Sequence, residues 1–290
     1  MDNILIGFMP SIIARKGVRG RQVVADAFKT YFANNDHLTA SDLPQIRYNV
    51  SVKHGMSAID FALCEVSGAF AILANTTPAV FWSVWHIYSR SQVLVEIRDE
   101  ISKMVNANPA WASGTDGPSP FDVDVIKNSC PILSSTLSEV LRIRARSIAA
   151  RKVMEDHLLD GKYLLKKDSV ILMPSHLVHS DSEVWGPDVD EFNHKRFMKG
   201  SSGTRAGFRS FGGGVSLCPG RHFVIGEIMV VVVMFVLGFD IMPVGGEWTV
   251  PKNQRDQMSS GVADPGTDIE VDVRRREGVK EGVWPFNVVN

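Results

Sequence analysis

Residues 211–221 read Phe-Gly-Gly-Gly-Val-Ser-Leu-Cys-Pro-Gly-Arg, a glycine-rich turn that leads Cys218 to the start of an apolar helix. A thiol there lies under the N-terminal amides of the helix, whose partial positive charge favours the thiolate. The three glycines let the backbone approach a flat ligand where side chains would clash. Pro219 suits the first helical position, which needs no N–H donor. The stretch predicts either a thiolate site or only a tight turn before a buried helix.

Cysteine and histidine are the residues of this chain considered as metal ligands. A thiolate binds soft or borderline metals, including haem iron. The chain has eight histidines, but only His176 and His179 are closely spaced, and their loop setting favours a surface or capping role. Three widely spaced cysteines, odd in number, argue against a disulfide framework and for a reducing, cytosol-facing environment.

The composition is that of an ordinary globular protein. The 290 residues are 44% hydrophobic and 22% charged, with a formal net charge of -1, so nothing indicates a nucleic-acid partner. The N-terminus has no basic leader or long apolar stretch, and we expect neither a signal peptide nor an anchor there. Residues 224–241 are apolar but contain Glu227 and Asp240, and they predict a buried core helix rather than a membrane span.

Hydrophobic spacing predicts a mainly α protein with minor β structure. The predicted helices cover residues 20–34, 57–88, 91–105, 131–144 and 222–240. Pro78 is expected to interrupt the second of these helices. Short strands are predicted at 162–165 and 169–173, and an alternating run at 269–273 predicts a small hairpin region in the tail.

Glu139 and Arg142 lie on one face of the helix 131–144, a pair that alone is common on solvated helices. Further motifs follow in order, namely His179-Ser-Asp181, Trp185-Gly-Pro187, Phe192-Asn-His-Lys-Arg196-Phe197 and the cysteine stretch. Their order and spacing resembles the cytochrome P450 superfamily, the haem-thiolate monooxygenases. The resemblance implies a buried triad of Glu139, Arg142 and Arg196 that braces the cysteine segment, as a positioning device rather than a net source of stability.

The resemblance also implies the cofactor, haem b, with Cys218 as the axial ligand of its iron. The expected haem contacts are Phe211, Gly212, Gly214, Ser216, Cys218 and Gly220. Most relatives carry Arg or His where this chain has Ser216, so another cation must hold a haem propionate. Arg151 stands where relatives often place such a residue, and Arg146 is its competitor.

The resemblance runs from about residue 15 to the end, yet it covers only the C-terminal part of the family's length. We therefore expect residues 1–290 to form a partial cytochrome P450 domain, with 57–88 as the distal helix, 131–144 as the Glu-x-x-Arg helix, 211–221 as the haem-binding loop and 222–240 as the helix after the cysteine. The membrane anchor, the first strands and much of the substrate roof are expected to lie outside this sequence. Independent folding and haem binding stay open at this point.

The distal helix departs from the usual family pattern, in which an acid–alcohol pair relays protons during oxygen activation. Ala74 and Asn75 stand at those positions, followed by Thr76, and these three are the expected distal-face residues. The run Asn-x-x-Pro-Ala-x-Phe-Trp resembles the branch that includes cholesterol 7-alpha-hydroxylase and prostacyclin synthase. An amide cannot titrate near neutral pH, so Asn75 leaves both a hydroxylase and an isomerase open. Alternatively, Asn75 only bends the helix beside Pro78.

The resemblance predicts three partners or settings. A proximal basic patch of Lys199, Arg205, Arg209 and Arg221 predicts docking of an acidic, NADPH-dependent flavoprotein reductase, although a merely soluble loop has the same charges. The substrate is expected to be a lipophilic small molecule. A full-length relative is expected at the cytosolic face of the endoplasmic reticulum membrane, through segments that this chain lacks.

The expected function is insertion of one oxygen atom from dioxygen into that substrate, with electrons from the reductase and with the thiolate promoting O–O cleavage. The missing acid–alcohol pair leaves a haem-thiolate isomerase or dehydratase as an alternative. A third reading is a truncated, non-catalytic fragment.

Overall fold

The computed structural model describes residues 10–107, 121–198, 207–252, 260–277 and 286–287. The chain divides into two compact units, the first built from residues 1–75 with 257–259 and the second from residues 76–256 with 260–290. Helices dominate both units, and the strands are short, as predicted from the sequence.

The first unit is helical. Its helices are α1 (Pro10–Ile13), α2 (Arg15–Ala33), α3 (Asp42–Lys53) and the beginning of α4 (Ala58–Tyr88). A small aromatic core joins them: Phe32 stacks on Tyr48 and meets Phe61 edge to face. Edge-to-face and offset contacts of this kind suit the quadrupole of aromatic rings.

The second unit contains the main hydrophobic core. Its helices after α4 are α5 (Ser91–Asn106), α6 (Val123–Ser129), α7 (Pro131–Arg144), α8 (Ser175–His179), α9 (Ser182–Trp185) and α10 (Arg221–Gly238). The core joins Trp82 of α4, Ile97 of α5, Leu137 of α7 and Val233 of α10, all essentially inaccessible to solvent. The apolar stripe of α5 recurs every three to four residues, which is why one face of that helix is buried.

Eight strands form four two-stranded sheets in the described residues. They are β1 (Phe121–Asp122), β2 (Ile148–Lys152), β3 (His157–Leu159), β4 (Tyr163–Leu165), β5 (Val170–Pro174), β6 (Phe239–Pro243), β7 (Val271–Arg275) and β8 (Phe286–Asn287). The pairs β2–β5, β3–β4 and β6–β7 are antiparallel, and β1–β8 is parallel.

The interruption predicted at Pro78 was wrong, because α4 runs from Ala58 to Tyr88 with Pro78 inside it. A proline removes one helical hydrogen bond, but it ends a helix only where little else holds the following turns. Here those turns carry Trp82 and Ile87, both fully buried.

The predicted hairpin in the tail was also wrong. The alternating run near 271 does form a strand, β7, but its partner is β6, which follows α10 directly. Strand pairing is non-local, so an alternating pattern predicts a strand without naming its neighbour.

The apolar helix after the cysteine, α10, packs in the core. This agrees with the prediction of a buried helix rather than a membrane span, which rested on Glu227 and Asp240. Ile228, Met229, Val232 and Val236 of α10 are fully buried. By length and composition alone, α4 and α10 would both be long and apolar enough to cross a membrane.

Two sulfur atoms meet inside the second unit. The thiol of Cys130 lies 3.6 Å from the thioether sulfur of Met104, and both side chains are buried. Burial raises the pKa of Cys130 to about 12, and the nearby Glu100 carboxylate adds to the shift. The Cys130 thiol is therefore a packing group.

Candidate functional site

The cysteine loop places Cys218 immediately before α10, half-buried. The Cys218 amide donates to the carbonyl of Phe211 at 3.0 Å, which closes the loop on itself. The Arg221 guanidinium donates back to the carbonyl of Cys218 at 2.9 Å. The thiol thus lies at the start of an 18-residue helix, as the sequence predicts.

Two glycines shape this loop through their backbone. Gly212 and Gly214 have φ values of +78° and +64°, in the left-handed region that L side chains rarely adopt. Gly220 is less demanding, because a Cβ there would lie 3.9 Å from the sulfur of Cys218, an ordinary contact. The loop needs glycine for its turn at 212 and 214.

The surface around the cysteine fits a flat apolar ligand. Val215 is fully exposed, and Leu217 and Phe223 on either side of Cys218 are exposed as well. Exposed apolar groups on both sides of a thiol are costly in water and are stabilised when a ligand covers them. Ser216 is exposed beside them, which leaves its hydroxyl free to meet solvent or a polar edge of that ligand.

The structure joins Glu139, Arg142 and Arg196 in one buried ion-paired network. Glu139 has no exposed surface, and its two carboxylate oxygens accept from Nε and Nη2 of Arg142 at 2.7 and 2.8 Å. Nε of Arg196 donates to the same carboxylate at 3.1 Å, and so does the amide of Asn193 at 3.0 Å.

Arg196 has a second carboxylate partner, which the sequence reasoning did not assign. Asp188 accepts from Nη1 and Nη2 of Arg196, each at 3.0 Å. This hydrogen bond from Arg196 lowers the pKa of Asp188. Asp188 directly follows the Trp-Gly-Pro motif at 185–187, so the motif was the available signal for it.

The three distal-helix residues differ in their surroundings. Nδ2 of Asn75 donates to the carbonyl of Ala71 at 2.8 Å, one turn earlier on the same helix. Ala74 adds no polar side chain. Thr76 is buried, and its hydroxyl has no hydrogen-bond partner among the described residues. A buried hydroxyl of this kind calls for a polar partner.

The two arginines considered for a propionate lie in different settings. Arg151 is on β2, half-buried, with Nη1 bonded to the carbonyl of its neighbour Ala150 at 2.8 Å. Arg146 instead lines a cavity of about 100 Å³ together with Arg142, His176 and His179. Nε of Arg146 is buried and has no hydrogen-bond partner among the described residues.

Part of the basic patch falls on described residues. Arg209 is exposed and Arg221 is half-buried, whereas Lys199 and Arg205 lie outside the described residues. Arg221 also lines a cavity of about 250 Å³ with Lys127 and His222, two basic groups that the sequence reasoning did not include. His222 is adjacent to Arg221 in the sequence, whereas Lys127, on α6, comes close to it only in the folded chain.

Comparisons with known proteins identify the family of this chain. The family model described as Cytochrome P450 matches residues 42–269. The chain is 36% identical to Cytochrome P450 monooxygenase nodJ of Hypoxylon pulicicidum, over 99% of this chain and 58% of that protein. It is 27% identical to Cytochrome P450 7A1 of Oryctolagus cuniculus (92% of this chain, 56% of the relative) and 25% identical to Cholesterol 7-alpha-monooxygenase of Cricetulus griseus (92% and 55%).

The chain belongs to the cytochrome P450 family. The predicted resemblance to the cholesterol 7-alpha-hydroxylase branch is confirmed by the last two of these relatives. The chain spans a little over half the length of the curated relatives it matches. Membership of this family implies haem iron held by a cysteine thiolate.

Proposed function

We propose that this chain carries the haem-thiolate centre of a monooxygenase. The complete protein inserts one oxygen atom from dioxygen into a lipophilic small molecule, and a NADPH-dependent flavoprotein reductase supplies the electrons. The observation that carries the proposal is the cysteine loop itself: a half-buried thiol at a helix start, a turn built on two left-handed glycines, and exposed apolar flanks.

Cys218 would hold the iron of haem b through its sulfur, and the bound haem would supply the one-electron and oxygen chemistry. Cys218 lies two residues before Gly220, the N-cap residue of α10. Phe211, Gly212, Gly214 and Gly220 would lie against the ring, and Ser216 at its edge. Arg151 is the proposed propionate partner, with Arg146 as its competitor.

The buried network has a structural part in the proposed activity. Glu139 holds Arg142 and Arg196 together, and these two donate to backbone carbonyls of the segment 179–191. Desolvation offsets most of the Coulomb energy of a buried pair, so its use lies in positioning. We propose that this network holds the segment 179–191, which precedes the cysteine loop, in position.

Thr76 is the proposed proton-handling group of the distal helix, and Ala74 and Asn75 directly precede it on that helix. Its buried hydroxyl has no described partner and can both donate and accept a proton. The Asn75 amide bonds to its own helix and cannot titrate near neutral pH. A hydroxyl without an adjacent acid predicts slow proton delivery and a high fraction of uncoupled turnover.

The substrate class rests on the relatives. One of them is a Cholesterol 7-alpha-monooxygenase, and we therefore propose an apolar, polycyclic molecule of the size of cholesterol. Such a substrate partitions into lipid, so we place the complete protein at the cytosolic face of the endoplasmic reticulum membrane.

The test is one spectrum of the purified 290-residue chain supplied with haem. We expect the ferrous carbon monoxide complex to show the Soret position typical of thiolate ligation, and Cys218→Ala to abolish it. Cys64→Ala is the matched control, because Cys64 is an exposed cysteine of the first unit. A thiolate-type spectrum that survives Cys218→Ala would refute the assignment.

The spectrum also separates the alternatives. A chain that binds no haem is the non-catalytic fragment. A haem-loaded chain that converts a hydroperoxide without reductase is the isomerase or dehydratase.

A further inference from the structure

His179 lies between the buried ion-paired network and the cysteine loop. It is the last residue of α8 and is 2% exposed. Nη1 of Arg142 donates to the His179 carbonyl at 2.7 Å. On the other side, the backbone amide of Arg209 donates to Nε2 of the His179 ring at 2.9 Å. One residue thus touches the network with its backbone and the approach to the loop with its side chain.

Aromatic packing holds the His179 ring in place. Phe208 stacks on it, with centroids 5.9 Å apart and 21° between the planes. Trp185 meets it edge to face at 6.2 Å. Phe197 in turn packs edge to face on Phe208 at 5.1 Å. Because rings surround it, the imidazole cannot turn away from the Arg209 amide without disturbing several neighbours.

The hydrogen bond from Arg209 requires the neutral form of His179. A ring nitrogen accepts only when it carries no proton, so Nδ1 holds the proton of this imidazole. His179 lines the 100 Å³ cavity with Arg146 and His176, and its Nδ1 has no described partner. That cavity is polar and large enough for a water molecule, which would accept the Nδ1 proton and keep the tautomer.

Short contacts, mostly of the backbone, connect Arg209 with the cysteine loop. The Arg209 carbonyl accepts from the amide of Gly212 at 3.0 Å, at the first left-handed glycine. Gly213 lies directly on the Arg209 side chain. Phe211, between them, accepts from the amide of Cys218 at 3.0 Å. A displaced Arg209 therefore displaces the turn to which Cys218 is bonded.

We propose that His179 is a positioning residue for the thiolate site: its Nε2 fixes the backbone at Arg209 and thereby sets the position of the Cys218 sulfur. The part that concerns the thiolate rests on the proposed function. The hydrogen bond itself does not, and it can be tested without haem.

Two substitutions of His179 distinguish the effect of its hydrogen-bond acceptor from the effect of its ring packing. His179→Phe keeps an aromatic ring against Phe208 and removes the acceptor. His179→Gln removes the ring and offers a carbonyl oxygen at a similar distance along the side chain. His176→Phe, on the same cavity, is the matched control.

The first readout is amide hydrogen exchange at Arg209 in the haem-free chain. We expect His179→Phe to speed this exchange about tenfold, as loss of one hydrogen bond predicts, and His179→Gln and His176→Phe to leave it near the wild-type rate. Unchanged exchange in His179→Phe would overturn the proposal.

The second readout is the ferrous carbon monoxide spectrum. His179→Phe should convert part of the thiolate-type signal to the thiol-type signal. His179→Gln, which keeps an acceptor, should show the thiolate-type signal of the wild type. Cys218→Ala should lose the signal and keep the slow exchange at Arg209. Absence of any thiolate signal in the wild type would sink the proposed function and leave the exchange result standing.

A measurement on the wild type covers the case in which a variant does not fold. Nitrogen-15 shifts of the His179 ring report which nitrogen carries the proton. A proton on Nδ1 supports the proposal, and a proton on Nε2 overturns it.

Discussion

His86 is a buried histidine whose two ring nitrogens have no hydrogen-bond partner among the described residues. Its ring stacks on Phe192, with centroids 4.2 Å apart. Burial lowers its pKa to about 2, and the charges of Arg90 and Arg144 add to the shift. The folded protein therefore holds His86 neutral at any ordinary pH.

This shift predicts an acid-sensitive contribution to stability. Because the folded pKa lies below the ordinary value of 6.5, the contribution is complete above pH 6.5 and is lost as the pH falls. His86→Phe keeps the stacking and removes the titration. Between pH 6.5 and about pH 5, we expect the free energy of unfolding of the variant to fall by about 2 kcal/mol less than that of the wild type.

Denaturant unfolding at the two pH values measures this difference. His157→Gln, on the exposed strand β3, is the control and should keep the wild-type slope. A slope unchanged by His86→Phe would contradict the assignment of the titration to His86.

Glu139 gives a second prediction at the scale of one residue. Glu139→Ala leaves Arg142 and Arg196 buried without the carboxylate that they share, and we expect a loss of about 3–5 kcal/mol in the free energy of unfolding. Glu155→Ala, at an exposed position, should cost less than about 0.5 kcal/mol. Similar losses in urea titrations of the two variants would argue against a buried network.

At the scale of the element, α7 depends on a cap from another helix. Its N-cap residue, Cys130, offers no side-chain hydrogen bond. Glu100 of α5 supplies the missing acceptors, since its two oxygens accept from the amides of Ile132 and Leu133 at 2.8 and 3.0 Å. These bonds close the start of the helix that carries Glu139.

We expect Glu100→Ala to lower the free energy of unfolding by about 2 kcal/mol, because buried helix amides lose their acceptor. Asp99→Ala is the neighbouring control: it removes only an exposed i,i+4 pair with Lys103, worth at most a few tenths of a kcal/mol. Thermal unfolding of both variants measures the difference. Equal midpoints would show that the cap contributes nothing.

The elements show which features were predictable from sequence. Helix α7 was predicted at 131–144 because hydrophobic spacing is a local signal. The Glu100 cap was not, because residues 32 positions apart meet only in the folded chain. The β6–β7 pair was missed for the same reason. The break predicted at Pro78 was wrong because the burial of the following turns, which holds α4 together there, also depends on the folded chain.

At the scale of the whole molecule, the order of the motifs predicted the family, and the run from Asn75 to Trp82 predicted the branch within it. The sequence did not predict which contacts connect the buried network of Glu139, Arg142 and Arg196 with the cysteine loop. The surface role that the sequence favoured for His179 was wrong, because its side chain is only 2% exposed. Its bond to the Arg209 amide depends on packing by Phe208 and Trp185, which the sequence does not reveal.

The proposed docking of a reductase gives a prediction at the scale of the whole protein. Arg209→Glu should reduce reductase-supported turnover about tenfold at low ionic strength, because steering by like-signed charges raises association rates. The difference should shrink in high salt. Lys167→Glu, at an exposed turn position, is the matched control. Equal turnover of both variants in dilute buffer would remove Arg209 from the docking surface.

The buried pair of Cys130 and Met104 has a practical consequence for the native protein. A thiol-reactive dye should label two of the three cysteines, Cys64 and Cys218, because Cys130 is inaccessible and stays protonated. In Cys64→Ala the remaining fast-reacting sulfur would be that of Cys218 alone. The amount of dye bound by this variant then measures the fraction of molecules in which Cys218, the proposed haem ligand, is covered.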